Sequence, residues 1–129
     1  MDGKIPLLRA SEVAEFDGET IAEITPFLLL TFPPGNSDLP RNSLVTVAVR
    51  EAAVSGDAVA LATFSGRTMT GFFQLCGEEA VVVSLHRRER LRWRTAESRS
   101  LIRWMFPILR VEMCGCPADV LQRHCTKKA

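Results

Sequence analysis

Three runs of strand-forming residues in the middle of the chain constrain the fold most. Residues 43–50, 58–64 and 67–75 are rich in Val, Leu, Thr, Ala or Phe, and β-branched and aromatic residues between turn signals are typical of strands. A Ser-Gly-Asp turn signal at residues 55–57 separates the first two runs, and Ser65-Gly66 separates the second from the third. Glycine takes positive φ without a steric penalty, so Ser65-Gly66 suits a tight hairpin. We therefore predict successive antiparallel strands in a mainly β fold.

The same region resembles the LexA-like S24 peptidase domain. The motifs that carry the resemblance are Gly-Asn-Ser-Asp-Leu-Pro at 35–40, Asn-Ser-Leu-Val-Thr-Val at 42–47 and Gly-Asp-Ala-Val-Ala at 56–60. They are similar to the family's Gly-Asp-Ser-Met-x-Pro, Gly-Asp-Leu-Val-x-Val and Gly-Asp-x-Val-x-Val, in the same order and with a hairpin after the third. The resemblance covers about residues 5–113. It implies a compact β-rich fold, related to that of signal peptidases, in a domain that cuts its own chain with a Ser–Lys dyad and dimerises, usually as the C-terminal half of a repressor.

The resemblance places Ser37 at the family's nucleophile position, but the sequence lacks the matching base. A serine hydroxyl attacks a peptide bond only when a neighbouring base removes its proton. In the family this base is a lysine whose pKa is lowered by burial. The corresponding position falls at Thr70 or Gly71, and the chain has no lysine between Lys4 and Lys127. We therefore predict a catalytically degenerate domain.

Further departures from the family pattern favour the same interpretation. Asp38 replaces the usual Met after the serine, and a carboxylate there disfavours a developing oxyanion; Ala14 is followed by Glu15, so the Ala-Gly bond that many members cut is missing. Arg67 stays protonated and cannot act as a base. His86 follows the apolar run 80–85, one strand beyond the expected site, and is expected to be a surface residue. The serine is then a turn residue in its loop; an active serine peptidase with an unrecognised base is the alternative.

An arginine-rich segment follows the predicted strands, at residues 87–103. Its arginines include Arg88, Arg90, Arg92 and Arg94, which lie on one face if the segment is extended, with Leu91 and Trp93 on the other. Arginine interleaved with tryptophan could contact phosphates and stack on bases, which makes a nucleic-acid-binding protein a further alternative. We favour an extended solvated segment that pairs with the acidic N-terminal arm, within the chain or across a dimer.

The remaining segments complete a single domain over residues 1–129. Residues 1–23 form an acidic N-terminal arm that begins with an edge strand at 5–8. The stretch 10–23 is either a short helix, with Ser11 as N-cap and Glu12 in its first turn, or a mobile arm. The apolar run at residues 24–32 indicates a strand that is central or lies at a dimer contact. Residues 101–113 are predicted to form a bent or edge strand that closes the sheet. Residues 117–129 form a polar tail in which a short helix is possible.

The cysteines and one histidine bear on whether the chain binds a metal. Cys76 ends an apolar strand and is expected to be buried or partly buried. Cys114, Cys116, His124 and Cys125 are weak zinc ligand candidates, because one intervening residue between cysteines is an unfavourable spacing. No metal or other cofactor is expected.

The partners and the compartment follow from the charge, the termini and the resemblance. The formal charge of +1 argues against a whole-protein polyanion binder, and the N-terminus lacks the apolar core of a signal peptide. We expect a cytoplasmic bacterial or phage homodimer, with no membrane association and no direct nucleic-acid contact. It could bind a peptide in the groove near Ser37.

Overall fold

The structure, a computed structural model, describes residues 5–32, 43–84 and 89–112. The predicted mainly β fold is confirmed: within these residues eight strands form one sheet in the order β1-β2-β3-β8-β4-β5-β6-β7. The strands are β1 (Leu7–Arg9), β2 (Phe27–Thr31), β3 (Leu44–Ala48), β4 (Ala58–Thr63), β5 (Thr68–Cys76), β6 (Glu79–Val83), β7 (Arg90–Arg94) and β8 (Ile102–Glu112). The short helices are α1 (Ala10–Val13), α2 (Gly18–Ile24) and α3 (Ser98–Leu101), and a 3-10 turn at Thr95–Glu97 precedes α3. The β1–β2 pair is parallel, and every other pair of neighbouring strands is antiparallel.

The β4–β5 and β5–β6 hairpins turn where glycine permits it. Gly66, between β4 and β5, has φ of 95°, and Gly77, between β5 and β6, has φ of 65°. Both angles lie in the left-handed region that side chains other than glycine's rarely adopt. The predicted hairpin at Ser65-Gly66 is therefore confirmed.

The order of the strands differs from the prediction in one respect. β3 and β4 follow each other in the sequence but are not neighbours, because β8 lies between them and is antiparallel to both. The last strand is predicted to be bent or at an edge; the edge position is wrong, because β8 is a central strand. Pro107 is tolerated in this central strand beside a register shift against β3, where the ladder between the strands is already interrupted.

Two hydrophobic cores lie on opposite faces of the sheet. Residues of β4 alternate between them: Ala60 and Ala62 belong to the first core, and Val59 and Leu61 to the second. α1 and α2 cover the first core and contribute apolar side chains to it. The central position of β4 explains why its sequence is a continuous apolar run rather than an alternating one.

The acidic N-terminal stretch contains both α1 and α2. The predicted Ser11 N-cap is wrong, because the N-cap of α1 is Arg9, but Glu12 lies in the first turn as predicted. The Glu12 carboxylate accepts a hydrogen bond of 3.1 Å from the Arg9 backbone N–H, which satisfies a donor that the start of a helix leaves free. Asp17 caps α2 by accepting the Thr20 backbone N–H at 2.8 Å.

Two arginines bind this helical stretch to the rest of the protein by hydrogen bonds to its backbone carbonyls, not to its acidic side chains. Arg103 Nη1 donates to the Glu15 carbonyl at 3.0 Å, and Arg50 Nε donates to the Ala22 carbonyl at 2.7 Å. Among the described residues, no helix is long and apolar enough to cross a bilayer.

Candidate functional site

Several candidate residues fall outside the described ranges. These are Ser37, His86, Arg88 and the cluster of Cys114, Cys116, His124 and Cys125. Among the residues that the structure does describe, no group of three or more His, Cys, Asp or Glu side chains could hold a metal ion. The site is therefore built from the two positions expected to hold the family's lysine and from the arginine-bearing strand β7.

Thr70 and Gly71 lie in the middle of β5, between β4 and β6. Thr70 pairs with Ala60 and Gly71 with Val59 across the β4–β5 ladder. The Thr70 side chain is 2% exposed, so it fills space inside the protein rather than facing a solvent cleft. Replacement by lysine at this position would bury an ammonium group in a space that threonine already occupies.

Gly71 has no room for any side chain. A Cβ on this residue would lie 2.5 Å from the Val83 carbonyl oxygen and 2.9 Å from Val82 Cγ1. The first contact is with backbone of β6, which cannot rotate away as the end of a flexible side chain can. Gly71 does not adopt a positive φ, so the close approach of β6, and not an unusual backbone angle, is what requires glycine.

The environment of Gly71 is apolar. Val59 lies directly across from it, and Met69 and Phe73, two residues away on the same strand, are buried on the same face. Such surroundings lower the pKa of an amine by penalising its charged form, which is what a Ser–Lys dyad requires. The packing of β6 nevertheless removes the space in which a lysine would lie.

The polar side chains near the start of β5 are paired with each other or buried. Arg67 forms an exposed ion pair of 3.2 Å with Glu89, and Ser84 Oγ accepts the Glu89 backbone N–H at 3.0 Å. The Thr68 hydroxyl is buried and has no hydrogen-bond partner among the described residues. Within the described part of the chain, no amine or imidazole lies beside Gly71.

Strand β7 presents its arginines on one face, as the alternating sequence predicts. Arg90, Arg92 and Arg94 are exposed, whereas Leu91 is half-buried and Trp93 is buried. None of these three arginines forms an ion pair with another described residue. The predicted face is therefore confirmed for the three arginines that the structure describes.

Trp93 does not belong to this exposed face. Its side chain is 6% exposed, its ring stacks on Phe73 at a centroid distance of 6.3 Å, and its Nε1 donates to Ser98 Oγ at 2.8 Å. A ring that is buried and hydrogen-bonded is not available to stack on a nucleobase. The pattern of arginine and tryptophan reflects the two faces of an edge strand rather than a base-stacking surface.

One further side chain departs from its prediction, and another has a role that the sequence analysis missed. Cys76 is exposed, against the prediction of a buried or partly buried thiol, because the last residues of β5 extend beyond the second core.

The pKa of the Asp17 carboxyl is held below 3.8, chiefly by its hydrogen bond from the Thr20 backbone and also by the Thr20 side chain and the charge of Arg103. The sequence signal for this cap is an Asp just before a helix-forming stretch, with an acid, Glu19, in its first turn.

Comparison of the sequence with protein-family models and with curated proteins finds no match in either.

Proposed function

We propose that this chain is a degenerate relative of the LexA-like S24 peptidase domain that no longer cuts peptide bonds and acts as a dimerisation and protein-binding module in transcriptional regulation. The proposal combines the three ordered motifs around Ser37 with the closed position at Gly71. The observation that carries it is the contact between Gly71 and the backbone of Val83, which leaves no space for a basic side chain.

The sequence and the packing around Gly71 both support the absence of a base. The sequence offers no lysine between Lys4 and Lys127, and the packing of β6 on Gly71 would have to open before one could be accommodated. Arg67, the cation nearest in sequence, is paired with Glu89, and its guanidinium has only donors and no acceptor with which to take a proton from serine. An alcohol without a base is a poor nucleophile.

A binding role is supported by apolar side chains that are exposed around one open pocket. The pocket has a volume of about 180 Å³ and is lined by residues that include Leu8, Phe16, Ile24 and Leu28. Ile24 is 74% exposed, and Phe16 and Leu8 are exposed beside it. Apolar side chains gathered in this way on a small protein mark an interaction surface.

Hydrolysis is tested with the unaltered chain and the Ser37→Ala variant. Both are incubated at neutral and alkaline pH, and their masses are followed together with labelling by a fluorophosphonate, which reacts with activated serines. We expect no defined internal cut and no adduct at Ser37 in either protein. A cut or an adduct that disappears in Ser37→Ala would instead establish an active serine peptidase with a base elsewhere.

Dimerisation is tested by sedimentation equilibrium with a matched pair of surface variants. Ile24→Glu places a charge beside the apolar pocket, whereas Val54→Glu places one on a side chain that is 60% exposed and does not line the pocket. We expect the unaltered chain and Val54→Glu to be dimeric and Ile24→Glu to dissociate. A monomeric mass for the unaltered chain at every concentration would remove dimerisation from the proposal.

A further inference from the structure

We propose that the outer edge of β7, which no other described strand covers and which is called its open edge below, binds an extended acidic peptide by strand addition, with acidic residues at every second position. The inference deepens the proposed protein-binding role by naming a surface and a class of partner for it. This surface is distinct from the pocket around Ile24 and from the neighbourhood of Gly71.

The backbone of β7 is oriented for such pairing. Ser84 N–H donates to the Glu89 carbonyl and Thr95 N–H donates to the Glu78 carbonyl, both at 2.9 Å. In an antiparallel ladder, every second residue directs its backbone groups to the same neighbour. Glu89 and Thr95 are odd-numbered, so the odd-numbered residues face β6, and the backbone groups of Arg90, Arg92 and Arg94 point to the open edge. Within the described residues, β7 is the last strand of the sheet on this side.

The side chains of β7 specify the charge of the partner. Arg90, Arg92 and Arg94 lie on one face at intervals of roughly 6.6 Å, twice the rise per residue of a strand. In the adjacent strand their partners are Val83, Val81 and Glu79, so a single acid lies opposite three arginines, and Glu79 forms no ion pair with any residue that the structure describes. A strand added to this edge would place its own side chains directly across from the arginines, where opposite charges stabilise the pairing.

The opposite face of β7 specifies the intervening residues of the partner. Trp93 is buried and Leu91 is half-buried on that face, so the side chains of an added strand that point there would meet the margin of the second core. Apolar residues suit these positions. The resulting pattern, an acid followed by an apolar residue and repeated, has the period of two that an extended strand requires.

A second copy of this chain is a poorer occupant of the edge. Antiparallel pairing of β7 with itself would place arginines opposite arginines, and like charges directly across a ladder are destabilising. Charged residues on an edge strand serve in many proteins to prevent such pairing. The same arginines that repel another β7 would attract a strand of opposite charge.

The experiment compares two peptides of the same composition on the full chain. The alternating peptide is Thr-Glu-Val-Glu-Val-Glu-Thr and the clustered peptide is Thr-Val-Val-Glu-Glu-Glu-Thr, both with blocked ends and a fluorophore for anisotropy. Strand addition predicts that the alternating peptide binds about tenfold more tightly, because it can place every acid on the arginine face. Equal binding of the two peptides would overturn the proposal, since charge alone would then account for it.

A pair of variants separates the backbone contribution from the charge. Arg92→Ala removes one guanidinium, and Arg92→Pro removes the same guanidinium together with the N–H that points to the open edge and is not used in pairing with β6. We expect Arg92→Pro to bind the alternating peptide about threefold to tenfold more weakly than Arg92→Ala. Equal affinities of the two variants would contradict strand addition.

Two controls complete the test. Thermal unfolding shows whether Arg92→Pro remains folded, and if it does not, the two peptides on the unaltered chain decide the question. An oligothymidylate that binds more tightly than the alternating peptide would indicate a nucleic-acid surface and overturn the proposal. Failure of peptide binding would leave the Ser37 experiments unaffected, so the two proposals can fail separately.

Discussion

The α-carbon of Gly71 lies against the main chain of Val83, so closely that a methyl group on residue 71 would be 2.5 Å from the Val83 carbonyl oxygen. This contact joins the middle of β5 to the end of β6. Gly71 is one of the two positions, with Thr70, at which the resemblance to the LexA-like pattern leads us to expect a lysine. The packing of β6 on β5 therefore leaves no space for a side chain at residue 71.

The first prediction concerns the stability that this contact imposes. Gly71→Ala should lower the free energy of unfolding by about 1–3 kcal/mol, because β6 must shift to accept the methyl group. Gly18→Ala is the matched control: its Cβ would meet Trp104 Cβ at 3.4 Å, an ordinary contact, and the change should stay within about 0.5 kcal/mol. Urea denaturation measures both. Equal effects of the two substitutions would show that Gly71 is not closely packed.

The second prediction uses two adjacent phenylalanines that face opposite sides of β5. Phe73 is 5% exposed and stacks on Trp93, whereas Phe72 is 44% exposed. Phe73→Ala should cost about 3–5 kcal/mol, as is usual for removal of a buried aromatic ring. Phe72→Ala should cost less than about 1 kcal/mol. Thermal or urea unfolding of the two variants shows which phenylalanine faces the core. A larger loss of stability for Phe72→Ala than for Phe73→Ala would mean that the two faces of β5 are reversed.

The third prediction follows from the helix cap at Asp17. Hydrogen bonds from Thr20 hold the pKa of the Asp17 carboxyl below 3.8 in the folded protein. The folded state therefore binds a proton less readily than the unfolded state. The Asp17 charge therefore stabilises the folded protein fully above pH 3.8. This stabilisation is lost as the pH falls through the lower pKa of the folded state.

Asp17→Asn provides the measurement, since asparagine keeps a capping oxygen but does not titrate. Unfolding midpoints in urea are determined across the acidic range for both proteins. We expect the advantage of the unaltered chain over the variant to shrink as the pH falls below 3.8. Parallel curves for the two proteins would show that the Asp17 charge contributes nothing to the cap.

Local patterns account for the features that the sequence predicted correctly. The period of two in a strand separates Arg90 and Arg92 from Leu91 and Trp93, and places Phe72 and Phe73 on opposite faces. Gly66 marks a hairpin because few other residues adopt its backbone angle. In each case the physical cause acts between residues that are neighbours in the chain, so it can be read without a structure.

Such local patterns do not predict which strands pair with each other in the sheet. β8 inserts between β3 and β4 although about 40 residues separate β4 from β8 in the chain, and nothing in residues 102–112 indicates which strands they join. The close packing at Gly71 has the same origin, since the sequence shows a glycine in a strand but only the packed sheet shows that β6 fills the space beside it. Local composition determined which residues form strands and which side they face; long-range packing decided the neighbours and, with them, the shape of the candidate site.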